Sequence, residues 1–129
     1  MKSVFGSYKY EDKKWKDKAE KWSKEERLGD DVRITGESKD VRSSGDNAVK
    51  KHLSPKVKGS SDMLVFIGDN THNSKGVDYE IKNSKSSGKR VIPVRIPGTK
   101  GAVPESIRQE KIIAFEPNAI KKALKKQIP

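Results

Sequence analysis

Cysteine is absent from the 129-residue chain. That excludes disulfides, thiolate catalysis and cysteine metal sites. Histidine is scarce: His52 and His72 lie far apart and lack metal-ligand spacing, so no metal is expected. No apolar run approaches the ~20 residues that span a bilayer. No signal peptide precedes the first apolar run, and the expectation is a cytoplasmic protein without a membrane partner. Phosphate motifs are missing as well: no G-x-G-x-x-G follows the first strand, there is no Gly-Lys-Ser/Thr loop, and no serine sits in a nucleophile elbow. Apolar residues make up 31% of the chain against 36% charged, so the core will be small.

What the chain has in quantity is positive charge. With 29 Lys+Arg the formal net charge is +11, which points to an anionic partner or to a field that steers phosphates to a site. The lysines are spread over the first helix, the middle and the C-terminal part. No arginine-rich run and no DNA- or RNA-binding motif appears, so nucleic acid is not the expected partner.

The apolar residues cluster into short runs that alternate with helical patterns. Strands are expected at Ser3–Tyr8, Val32–Ile34, Met63–Ile67, Val91–Ile96 and Lys111–Phe115. Pro93 places the fourth near an edge or makes it irregular. The first helix starts at an Asp12 N-cap, turns Trp15, Ala19 and Trp22 inward, and stops at Gly29-Asp30-Asp31. A second helix begins at Asp46, with Ala48, Val49 and Leu53 inward and His52 beside them. A third runs from Lys75 to Ser87 and ends at Gly88. A short turn covers Pro104–Arg108. A last helix opens on Pro117 and buries Ile120, Ala123 and Leu124. Thr35–Gly45 is a long polar loop.

Strands alternating with helices argue for one α/β domain over residues 1–129. The expected core is a five-stranded parallel sheet of flavodoxin-like order 2-1-3-4-5, with helices on both faces. Ligands bind such sheets beyond the C-terminal strand ends, where the order reverses. Here that is between strands one and three, at the turns Ser7–Asp12 and Gly68–Ser74. Ser7, Tyr8, Asp69, Asn70, Thr71 and His72 are therefore the candidate ligand residues, and each could equally serve only its turn. By spacing alone Glu80 is a surface helical glutamate paired with Lys75, Lys82 or Lys85. A receiver-type phosphoacceptor is the other chemistry of this topology, with Glu11-Asp12 as the acidic pair and Asp69 as acceptor. The lysine such a domain needs after strand five is absent, since Phe115 is followed by Glu116-Pro117.

Phe5-Gly6-Ser7-Tyr8 with Tyr10-Glu11-Asp12 resembles the opening of TIR-like domains. Phe66 to Lys75, then Val77-Asp78-Tyr79-Glu80-Ile81, is similar to the central segment of the bacterial and archaeal TIR-like subgroup of Thoeris anti-phage defence (the ThsB subgroup). Gly88-Lys89 before Val91–Val94 matches its next strand. The resemblance implies a TIR-like enzyme that cleaves the nicotinamide–ribose bond of NAD⁺, with Glu80 as the catalytic carboxylate. It implies a cyclic or modified ADP-ribose product read by a separate effector, and self-assembly with other TIR domains through Thr35–Gly45. One position departs from the pattern: the family has tryptophan where this chain has Gly76. That departure keeps a second reading open, a TIR adaptor without catalysis.

Overall fold

The computed structural model describes residues 2–36 and 59–125. The expected helix from Asp46, His52, and the loop beyond Gly36 lie outside them. The described elements are β1 (Lys2–Ser7), α1 (Lys13–Lys24), β2 (Val32–Thr35), β3 (Asp62–Ile67), α2 (Lys75–Ser86), β4 (Arg90–Arg95), β5 (Ile113–Ala114) and α3 (Pro117–Lys125). The strands form one sheet in the order β2-β1-β3-β4-β5, with every neighbouring pair parallel. This is the expected topology.

Two cores follow from the period of two along each strand. On one face Val4, Tyr8, Leu64, Phe66 and Val94 meet Ala19 and Trp22 of α1 and Ile120 and Leu124 of α3. On the other, Phe5, Met63, Val65 and Ile67 meet Val77 and Ile81 of α2. All six residues of β3 are buried, as expected of a strand covered on both sides. The inward stripe of α1 ends on Phe115, whose ring lies 5.3 Å from Trp15 and 4.9 Å from Trp22 between centroids.

Three local expectations need correction. The first helix does not run to Gly29 but ends at Lys24. Glu26 takes a positive φ of 60°, and the amides of Glu26 and Arg27 donate back to Ser23 and Trp22. That is a Schellman closure, built on a residue type that rarely enters this conformation. Asp12 stands at the N-cap position of α1 but makes no capping bond, because Tyr10–Asp12 already forms a 3-10 turn. The fifth strand is two residues rather than five, pairing only with Val94 and Arg95. The expectation for Pro93 holds: it pairs with Val65 of β3 on one side and lies near the sheet edge on the other. The Ile96 amide donates to Ile67, so by alternation the Pro93 nitrogen faces away from β3. It faces the stretch that β5 is too short to cover, and no ladder bond is lost.

Candidate functional site

The C-terminal ends of β1 and β3 carry the polar turns. Ser7 closes β1 and its side chain lies on the α2 face, the same side as Phe5. On α2, Ser74 caps the first turn by accepting the Val77 amide at 3.2 Å. One turn and a half further on, Glu80 points at β1, where the Ser7 hydroxyl donates to its Oε1. Glu80 is 1% exposed and Ser7 0%. Glu80 is thus no surface carboxylate. The lysines expected to pair with it have other roles: Lys82 pairs with Asp78 at 2.9 Å, Lys85 donates to the Ser106 carbonyl at 2.6 Å, and Lys75 is exposed. Gly76 is buried four residues before Glu80, on the same helix face.

The other candidates divide into three groups. Tyr8 alternates to the opposite face from Ser7 and is buried in the α1 core, with the Lys16 ammonium 5.6 Å from its ring. Thr71 is buried and holds the turn itself, accepting the Gly68 amide at 2.7 Å and donating to the Phe66 carbonyl at 3.3 Å. Asp69, Asn70 and His72 are exposed at the rim. Asp69 accepts the Lys100 amide at 2.9 Å, which ties down the loop after β4, and Asn70 donates to Glu11 at 3.1 Å. The structure therefore brings Ser7 and Glu80 together, leaves Asp69, Asn70 and His72 exposed on the turn after β3, and puts Tyr8 behind the sheet.

Asp12 was missed. It is nine-tenths buried, and among the described residues its Oδ2 has no hydrogen-bond partner. Its carboxylate packs so closely on Gly68 that a Cβ there would collide with it. Burial pushes the Asp12 carboxyl up, and the charges of Glu11 and Asp69 push the same way. The only sequence signal was the acidic pair itself. Glu11 goes the other way: the Asn70 hydrogen bond holds it below the ordinary carboxylate range, against a small opposing effect of burial. Among the described residues no group of three or more His, Cys, Asp or Glu could hold a metal ion. Nor, among the described residues, is any helix long and apolar enough to cross a membrane.

The parallel sheet of order 2-1-3-4-5 with helices on both faces is an α/β fold that TIR domains share. The TIR domain of the Toll-related receptor TRR-2 from Hydra magnipapillata, seen in a crystal structure, superposes with a TM-score of 0.63 at 13% identity, over 86% of this chain and 82% of that one. The chain belongs to the TIR-like domain family of the Thoeris protein ThsB, whose profile matches residues 5–101. No curated protein matches it.

Proposed function

We propose that the chain is an NAD⁺-consuming TIR-like enzyme of anti-phage signalling, with Glu80 as its catalytic carboxylate. The observation that carries this reading is the burial of Glu80 against Ser7 at the ligand-binding end of the sheet. A glutamate kept only for solubility would stand in water, whereas a carboxylate fixed by a donor in a dry setting suits a reaction that builds positive charge.

Cleavage breaks the bond between ribose C1′ and the nicotinamide nitrogen. Nicotinamide leaves as a neutral molecule with the bonding pair, and the ribose becomes oxocarbenium-like. Glu80 stabilises that centre and accepts from the ribose hydroxyls, which take the place of Ser7 Oγ. Attack by water yields ADP-ribose. Attack by another atom of the same molecule yields a cyclic or rearranged product, the signal for a separate effector. NAD⁺ is the substrate, and the chemistry calls for no metal. Asp69, Asn70 and His72 line the approach, and Thr71 shapes the turn. Since Glu80 is closed off in the isolated chain, assembly with other TIR domains is the step that opens it.

The test is product analysis by mass spectrometry after incubation with NAD⁺, with and without extract from phage-infected cells, beside a Glu80→Gln control. Nicotinamide release that Glu80→Gln abolishes is the expected result. Release at the control level under both conditions refutes the reading.

Gly76 favours a second reading, a TIR adaptor without catalysis, because the side chain that would form the floor under Glu80 is absent. A protein that assembles normally and never turns over NAD⁺ is its signature.

A further inference from the structure

A net charge of +11 steers phosphates in general, but it does not call for a row of lysines on one helix face. The charges of α1 sort by flank. Glu20 stands toward the β2 edge with Lys16 and Lys24, and Asp17, between the two flanks, is engaged by Lys13 and Lys16. On the opposite flank Lys14, Lys18 and Lys21 recur at i, i+4 and i+7, all exposed. None of them forms an ion pair among the described residues. Aromatic rings seat the outer cations. The ammoniums of Lys14 and Lys18 lie 5.2 and 5.9 Å from the Trp15 ring, and Lys18 and the Arg27 guanidinium lie 5.6 and 5.7 Å from Trp22. Cations held over rings lose less freedom when they meet an anion.

The second helix of this face continues the pattern. Phe115, which touches both tryptophans, stands two residues before α3. Ile120 and Leu124 point into the core, and Ala119 and Ala123 line a groove with Ile112 and Ile113 at the β5 edge. Helical geometry then sets Lys121 on the flank nearer α1, with Lys122 and Lys125 outward. These lysines too form no ion pair among the described residues.

We propose that the α1–α3 face docks duplex nucleic acid through its phosphate backbone, without reading bases. Lys14 to Lys21 span about 10 Å of helix at ~1.5 Å per residue. That is the reach of roughly three phosphates along one strand, at about 3.4 Å of axis each. Lysine is a compact point charge that suits phosphate, and it lacks the fork that reads base edges. A membrane surface fits less well. The exposed large apolar residues among those described are Tyr10 and Ile112, whereas an interfacial helix needs an outward apolar face and α1 keeps its own packed inward. The lysines look scattered along the chain, which argued against nucleic acid in the sequence; folding brings one subset of them, Lys14, Lys18 and Lys21 of α1 with Lys121, Lys122 and Lys125 of α3, to one side of the sheet.

The test uses the full chain and a labelled duplex of about 24 base pairs, read by fluorescence polarisation between about 50 and 200 mM salt. Binding that weakens steeply with salt is expected. The triple variant Lys14→Gln, Lys18→Gln, Lys21→Gln should lose about tenfold in affinity or more, with a salt slope smaller by about three. Lys21→Gln alone, which removes no ring contact, should lower the slope by about one. The charge-matched variant Lys75→Gln, Lys82→Gln, Lys85→Gln on α2 should change little. Equal losses in the two triple variants would make the effect one of net charge and overturn the docking face. So would the absence of duplex binding at the lowest salt, or binding of phosphatidylserine vesicles in place of the duplex.

Discussion

The Ser7 hydroxyl donates to Glu80 Oε1 across 73 residues of sequence, with both side chains buried. This bond joins the end of β1 to the middle of α2 and defines the candidate reaction centre. Ser7→Ala removes a donor to a buried charged group and should cost about 1.5–3 kcal/mol of stability. Glu80→Gln keeps the shape and should cost less while abolishing nicotinamide release. Urea unfolding of both variants beside the product assay separates the structural effect from the chemical one.

At the other end of the sheet Asp62 accepts from Arg90 Nη2 at 2.6 Å and Nε at 2.9 Å, with the Lys2 ammonium at 3.4 Å. Lys2 and Arg90 also reach the Leu124 carbonyl, fastening the end of α3. Arg90→Ala leaves a buried carboxylate short of its counter-charge and should cost about 3–5 kcal/mol. Arg90→Lys should fall between, because the fork is lost while the charge stays. Burial alone raises the Asp62 carboxyl, but the Arg90 fork, Ser61 and Lys2 outweigh it and hold it below the ordinary range. A depressed folded value means stability present above the unfolded value and lost as pH falls through the folded one. Acid unfolding of the parent should therefore be steeper below about pH 4 than that of Asp62→Asn.

Asp12 should behave with the opposite sign. Its folded value is raised, so its contribution to stability is complete below the unfolded value and is lost as pH rises through the folded one. Above its folded value the ionised carboxyl is a burden. Asp12→Asn should raise the denaturant midpoint there, and the gain should shrink toward the acid side of the carboxylate range. An unchanged or lowered midpoint at pH 7 would contradict this.

Phe115→Ala should cost about 3–5 kcal/mol. It empties the space shared by Trp15, Trp22 and Phe66. Native-state tryptophan fluorescence should shift to the red, since both indoles lose their common neighbour, and denaturant unfolding gives the energy.

The parts of this fold that follow from period and burial were readable in the sequence. Met63–Ile67 is apolar on both faces and became the buried β3. Trp15, Ala19 and Trp22 mark one helix stripe, and all turned to the core. The features set by tertiary pairing were not readable. Lys111–Phe115 has strand character throughout, yet only Ile113 and Ala114 find ladder partners. Glu26 closes α1 in a conformation that favours glycine, so the stop was expected at Gly29 instead. Glu80 resembled an ordinary helix residue and Asp12 a helix cap, because a polar letter does not reveal that its side chain is buried. For Glu80 the surrounding motif supplied the missing information; for Asp12 the acidic pair pointed only to receiver chemistry.

The orientation of Pro93 bears on how copies of this domain can associate. With β5 covering only Val94 and Arg95, the first part of β4 shows an open ladder edge. An incoming strand would look there for amide protons, and the proline ring removes one where it would be needed. The sheet therefore resists extension from chain to chain along this side. Along this side, association between copies would run through helices and loops and could be undone without unpicking a shared sheet.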